Sequence, residues 1–304
     1  MEFGKVILPE LDLIDFTLPP DAALTTATLR EAKGKQPLQV YVGCSSWGQK
    51  DWKGMMFPAK TKSADFLQEY VKHFNMIELN ATHYRMHDAV TIAKWKEKAA
   101  SNPDFKFCPK FNQLITHIKR LKQADEITTS FYESMLAFED KLGPMFLQMS
   151  DGYLPQHFAE FKSYIERLPR DLPVFAELRH KDWFANTIHY NAAFELMNKL
   201  NIGSIITDTA GRRDVVHMTL TTPVAFIRFV GNALHPTDYL RIDAWVNRFA
   251  QWSKQGLQAI YFGMHQADEK TTPLLCDYLI MQLNKALHMN IARPGLLPTN
   301  NTLF

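Results

Sequence analysis

The sequence predicts an α/β fold, a single TIM-type (β/α)8 barrel, regular or not, with an N-terminal arm. Two observations carry this. Short apolar runs that end in polar or charged residues recur eight times, and an amphipathic segment of helical length lies between most of them. Alternating strands and helices specify a parallel sheet; eight units specify closure, with the active site at the C-terminal ends of the strands. The runs are 40–47, with Ser45 and Trp47; 76–80, with Glu78 and Asn80; 105–110, ending on Lys110; 145–149, with Gln148; 174–180, with Glu177 and Arg179; 204–208, ending on Asp208; 224–231, with Arg228; and 259–265, ending on His265. Their polar ends are expected to meet at one mouth.

Residues 1–37 have no clean period and are interrupted by Pro9, Pro19, Pro20 and Pro37. They read as an arm packed outside the barrel, with one short helix at about 21–32. The barrel is assigned to 38–294 and a polar, proline-containing tail to 295–304. The first long helix is expected at 63–74, where Phe66, Leu67, Tyr70, Val71 and Phe74 form one stripe. Others are expected at 88–100, 125–141, 156–168, 190–201, 238–254 and 271–287. The connections at 44–58, 111–123 and 209–222 are long and hold Trp, Lys, Arg, His and Asn, which marks them as functional loops on the side of the mouth.

Composition narrows the class. With 46% hydrophobic and 22% charged residues the chain can bury a large core. A net charge of +2 gives no argument for nucleic acid or a membrane surface. Cys44, Cys108 and Cys276 are odd in number and far apart, against a disulfide framework or structural zinc. No apolar stretch is long enough to span a bilayer, and the acidic N-terminus lacks a signal peptide's basic region, so a cytoplasmic location is expected.

The chemistry is expected from the strand ends. Glu177 and Arg179 stand two apart on a strand and share a face, as do Glu78 and Asn80. Two carboxylates in one mouth permit acid–base or glycosidase-like chemistry; the bland alternative is a buried ion-pair network that holds the barrel. Lys110, Arg179 and Arg228 bring three cations, which suits a phosphate, carboxylate or sugar acid. Lys110 can also form a Schiff base if desolvated, a route opposed by acids that keep it charged. His83 and His87, with Glu177, Asp208 and His265, are candidates for scattered metal ligands, but His83 and His87 follow a strand directly and no metal site is assigned. No glycine-rich phosphate loop is present, so no nucleotide cofactor is expected. Trp47, Trp52, Tyr84 and Trp183 can form an aromatic rim beside Lys50, Lys53, Lys119, Arg120 and Lys122; such a surface suits a single-stranded nucleic acid, a reading the small net charge disfavours.

Six segments in order carry a resemblance: CSSWGQKDWKGMMFP (44–58), IELNATHYR (77–85), FKFCPKFNQLITHIKRL (105–121), FLQMSDGYLPQHF (146–158), FAELRHKDWF (175–184) and FIRFVG (226–231). Together they resemble the YecE-like proteins, domain-of-unknown-function family 72, over about 40–265. The resemblance implies a TIM-type barrel and no established activity. The chain departs from the family pattern at Ala81, His83, Val230 and Phe262–His265, while the strand-five Glu–Arg pair, Lys110, Ile115–His117 and Arg228 are kept. The expected function is an enzyme acting on a small anionic substrate by carboxylate acid–base chemistry. Glu177 is the base, Glu78 the acid or second carboxylate, and Lys110 a further catalytic group. Arg179 and Arg228 bind the anion, Asn80, His117 and Asp208 orient it, and Trp47, Tyr84 and Gln148 line the site. The alternatives are a non-catalytic module for nucleic acid or a phosphorylated metabolite, and a metal-dependent hydrolase or isomerase.

Overall fold

The eight apolar runs each form a strand: Gln39–Cys44 (β1), Met76–Leu79 (β2), Lys106–Pro109 (β3), Met145–Gln148 (β4), Val174–Glu177 (β5), Gly203–Asp208 (β6), Val224–Gly231 (β7) and Ala259–Gln266 (β8). The chain is seen as a computed structural model describing residues 3–297; tail residues 298–304 lie outside it. Every pairing among these strands is parallel. Six strands form one sheet in the order β1-β8-β7-β6-β5-β4, and β2 and β3 form a second. Single bridges, Phe107 with Leu142 and Lys110 with Phe146, tie β3 to the β4 side.

Ten helices follow or separate the strands: Ala23–Ala32 (α1), Phe66–Tyr70 (α2), Ala81–Tyr84 (α3), Ala89–Lys98 (α4), Asp125–Met135 (α5), Phe158–Glu166 (α6), Asp182–Ala185 (α7), Thr187–Lys199 (α8), Pro236–Gln255 (α9) and Thr272–Leu287 (α10). Helix α8 starts earlier than its apolar stripe because Asn186 caps it, its Oδ1 accepting from the Ile188 N–H at 2.9 Å. The segment 125–141 is not one α-helix. Beyond Met135 it tightens into a 3-10 turn, and Glu139 adopts φ 52°, which no continuing helix allows. No helix among the described residues is long and apolar enough to cross a membrane.

One apolar cluster draws on all eight strands: Tyr41, Met76, Cys108, Phe146, Phe175, Ile205, Phe226, Ala259 and Tyr261. Side chains two residues apart on a strand share a face. Two residues beyond this cluster stand Gly43, Glu78, Lys110, Gln148, Glu177, Thr207, Arg228 and Gly263. The polar layer is therefore the apolar layer advanced by one pleat. Gly263 belongs there for steric reasons, since a Cβ on it would meet the Glu78 carboxylate at 2.9 Å.

Between β1 and β2, side chains take the place of a backbone ladder. Asn75 Oδ1 accepts from the Val42 N–H at 2.8 Å, and its amide donates to the Val40 carbonyl at 2.8 Å. The buried Tyr70 hydroxyl accepts from the Cys44 N–H at 2.7 Å and donates to the Met76 carbonyl at 2.9 Å. Gly43 permits this approach, because a Cβ there would lie 1.9 Å from the Met76 oxygen. Tyr70→Phe leaves one buried donor and one buried acceptor unpaired at almost unchanged volume. It is expected to cost about 2–4 kcal/mol in urea denaturation, the sum of two desolvated groups; a loss below about 0.5 kcal/mol refutes the side-chain bridge.

Candidate functional site

Arg228, from the middle of β7, is fully buried and is shared between two carboxylates. Its Nε and Nη2 grip Glu78 at 2.9 and 2.8 Å, and its Nη1 reaches Glu177 at 2.8 Å. Each carboxylate is then completed by neighbours. Glu177 also accepts from Arg179 Nε, Gln148 Nε2 and Thr207 Oγ1, all at 2.7 Å. Glu78 also accepts from the Asn80 amide at 3.0 Å and from His265 Nε2 at 2.9 Å. The Glu78 oxygen 2.9 Å from His265 Nε2 can only accept, so that nitrogen carries the proton and does not accept from Arg228 Nη2, 3.4 Å away.

A carboxylate has about four lone-pair sites, and here donors occupy them all. Burial pushes both acids up, but Arg179 and Arg228 hold Glu177, and Arg228 and His265 hold Glu78, well below the usual carboxylate range. Glu177, expected as the base, and Glu78, expected as the acid or second carboxylate, thus meet the same constraint. Both are fixed anions with no free acceptor site, each half of a guanidinium–carboxylate network. Glu177→Gln places an amide N–H against donors and strips Arg179 of its anion. It is expected to destabilise the fold by about 3–5 kcal/mol, the scale of a broken buried pair, in chemical denaturation; unchanged or raised stability contradicts this reading.

Lys110 differs from these groups. It is 7% exposed, and its Nζ donates to Gln148 Oε1 at 2.6 Å. Gln148 donates on to Glu177, so a neutral amide stands between the amine and that carboxylate. Burial, with Arg228 and Arg179 nearby, pulls the Lys110 amine down to about 7 against the opposing pull of Glu177 and Glu78. Its folded value lies below the unfolded one, so between about 7 and 10.5 the unfolded chain binds more protons, and the Lys110 contribution to stability rises with pH. Lys110→Met therefore gains most on the wild type at pH 7 and below, and the gap narrows as pH climbs towards 10.5; denaturation at stepped pH measures it, and a gap independent of pH refutes the shifted lysine.

Arg179 is 8% exposed. Its Nε binds Glu177, and its Nη1 lies 3.7 Å from Asp151 Oδ1. Its Nη2 is buried without a hydrogen-bond partner among the described residues. Arg179, Lys110, Gln148, Arg228 and His265 share the wall of a cavity of about 520 Å³ with Ser45, Asn80, His83, Tyr84, His117, Asp151, Glu269 and Phe3. Tyr84 stands at the rim, 71% exposed. His117 lies in a π-helical turn, Leu114–Ile118, inside the long loop after β3; such turns often mark functional sites. Its ring meets that of His83 edge-on at 4.8 Å. Burial, with Lys110 adding to it, lowers both imidazoles to about 4. His83 Nδ1 donates to the Phe111 carbonyl at 2.9 Å, which leaves Nε2 as an acceptor.

Two expected residues do not join the site. Asp208 points to the opposite face of β6, where Arg241 Nη2 binds it at 2.8 Å, Trp245 Nε1 at 2.6 Å, and Arg213 also pairs with it. Thr207 takes the inward place because it shares parity with Ile205 of the apolar cluster. Trp47 packs edge-on against Trp95 at 5.4 Å and does not line the cavity. Asp208, His83 and His265 do not form a metal set, and no group of three such ligands occurs among the described residues.

Two residues escaped the sequence reading, Thr207 in the ion network and Phe3 on the cavity wall. Thr207 was hidden by Asp208, and counting in twos from the apolar layer finds it. Phe3 had no local signal. The arm reaches the mouth: the Phe3 ring lies 4.3 Å from the Arg179 guanidinium and 4.9 Å from that of Arg212. The arm is pinned there by the Gly211 N–H, which donates to the Gly4 carbonyl at 2.8 Å.

The fold and site thus define an α/β protein of parallel strands with a buried ion network beneath a polar cavity. The chain belongs to the family described as protein of unknown function DUF72, whose model matches residues 41–299. It is 25% identical over 283 residues to the UPF0759 protein YecE of Escherichia coli (strain K12), covering 87% of this chain and all of that protein. The UPF0759 protein YunF of Bacillus subtilis (strain 168) is 26% identical over 153 residues, 48% of this chain and 52% of that one. Among solved structures, a DUF72 family protein of Enterococcus faecalis superposes with TM-score 0.63 at 17% identity, covering 86% of this chain and 100% of its own. One from Thermotoga maritima gives TM-score 0.58 at 21% identity, with 83% and 100% covered.

Proposed function

We propose that the eight strands close into a TIM-type barrel and that the protein is an enzyme binding a small anion at the mouth, with Lys110 carrying the reacting proton. Closure is supported by the cluster fed from every strand and by the side-chain bridges between β1 and β2. A cavity at the C-terminal strand ends is where such a fold places its chemistry.

The function rests on one observation: Arg179, which lines the cavity together with Lys110, has a buried Nη2 with no hydrogen-bond partner among the described residues. A buried guanidinium N–H without a partner is costly, and a carboxylate or phosphate oxygen would satisfy it with a charge-assisted bond. In this reading the two glutamates hold the guanidiniums in place and leave proton transfer to the lysine. A group that titrates near neutrality can both accept and return a proton, whereas the saturated carboxylates cannot. The neutral imidazoles of His83 and His117 would orient hydroxyl or carbonyl groups of the bound molecule.

Calorimetric titration with phosphate, sulfate and small carboxylates tests this. Wild type should bind at least one of them. Arg179→Met should weaken it by about 10–100-fold, the worth of one charge-assisted bond, while Glu177 keeps Arg228, Gln148 and Thr207 as donors. Equal weak responses in a folded variant and in wild type refute the anion site.

A further inference from the structure

We propose that Lys110 is a nucleophile that forms a Schiff base with a small carbonyl compound bearing a carboxylate or phosphate, the anionic end lying on Arg179. This rests on the anion site proposed above and replaces the proton-carrying role given there to Lys110 with a covalent one, adding the reacting group of the substrate.

Three features of the geometry carry it. First, Lys110 sits at the strand end, buried, and lines a cavity large enough for a small metabolite. Second, the acids that would keep the amine charged are committed elsewhere. Glu78 and Glu177 are each filled by donors, and Gln148 separates Lys110 from Glu177. Third, Gln148 fixes its own orientation by donating to Glu177, so only its oxygen faces the amine. A neutral amine gives that oxygen one N–H and keeps its lone pair for the cavity. Burial and two neighbouring guanidiniums also favour the neutral form near pH 7. Desolvation beside other cations is a known way of activating a lysine for imine chemistry.

The step balances without an oxidant or reductant. The Nζ lone pair attacks the carbonyl carbon as the C–O π bond breaks, and a proton passes from nitrogen to oxygen to give the carbinolamine. One proton from solvent then joins the departing hydroxyl, which leaves as water while the nitrogen lone pair forms the C=N bond. The product is an iminium at Lys110. Its positive charge can draw electrons from a neighbouring C–C or C–H bond of the substrate.

The test is reductive trapping on the full chain. Pyruvate or glyceraldehyde 3-phosphate is added with cyanoborohydride near neutral pH, and the adduct is located by peptide mass spectrometry. A stable adduct on Lys110 ahead of the other lysines is expected with at least one probe, and the responsive probe tells carboxylate from phosphate. Inorganic phosphate should suppress it by occupying the anion position, and Lys110→Arg, which keeps the charge, should lose it. If Lys110→Arg fails to fold, suppression by phosphate in the wild type serves as the control. Labelling scattered over surface lysines and insensitive to phosphate overturns the proposal. Calorimetric binding of both probes without any adduct overturns the covalent step alone and leaves the anion site standing. Absence of binding by phosphate and by both probes removes the two together.

Discussion

The structure of the mouth depends on one guanidinium held between two carboxylates. Arg228 binds Glu78 with two nitrogens and Glu177 with the third. Alone, any of these buried charges would be prohibitive. Together they are tolerable because every carboxylate oxygen receives two donors, drawn from β2, β4, β5, β6, β7 and β8 or the residues just beyond them. The network thus reports on the alignment of most of the strands at once. A strand slipped by one residue would turn its polar group outward and leave a buried charge bare.

The same network sets the character of Lys110. Two guanidiniums balance two carboxylates, so the lysine adds a further positive charge to a group already neutral and buried. Its lowered affinity for a proton follows first from desolvation and then from that arithmetic. The contrast within one mouth is informative. Glutamates with filled oxygens are locked as anions, and an amine held by a single amide is free to titrate. Perturbed groups near neutrality in a cavity are the usual mark of chemistry.

The N-terminal arm shows a second kind of dependence. Phe3 touches the guanidinium that binds Glu177, and the backbone around Gly4 is tied to the loop after β6. The arm contributes wall to the cavity as well as covering helices. Cation–π contact with Arg179 and Arg212 gives it an energetic reason to remain there. Whatever enters the mouth meets an aromatic face delivered from far away in sequence.

By itself the sequence determined the eight strands, their order and the identity of most polar groups at their ends. It could do so because strands buried on both faces must be apolar runs and helices must be amphipathic, and both are local patterns. Alternation in twos was also present, and would have chosen Thr207 over Asp208 once Ile205 was known to face the apolar cluster. That knowledge is tertiary, since a strand apolar on both faces does not say which face is inner. Which donors meet which oxygens was likewise decided only in three dimensions. Glu78 and Arg228 are 150 residues apart, and no local rule couples them. For that reason the sequence could name Glu177 and Lys110 as candidates, whereas only the fold decided that the first has its oxygens filled by donors and that the second is held by the Gln148 amide.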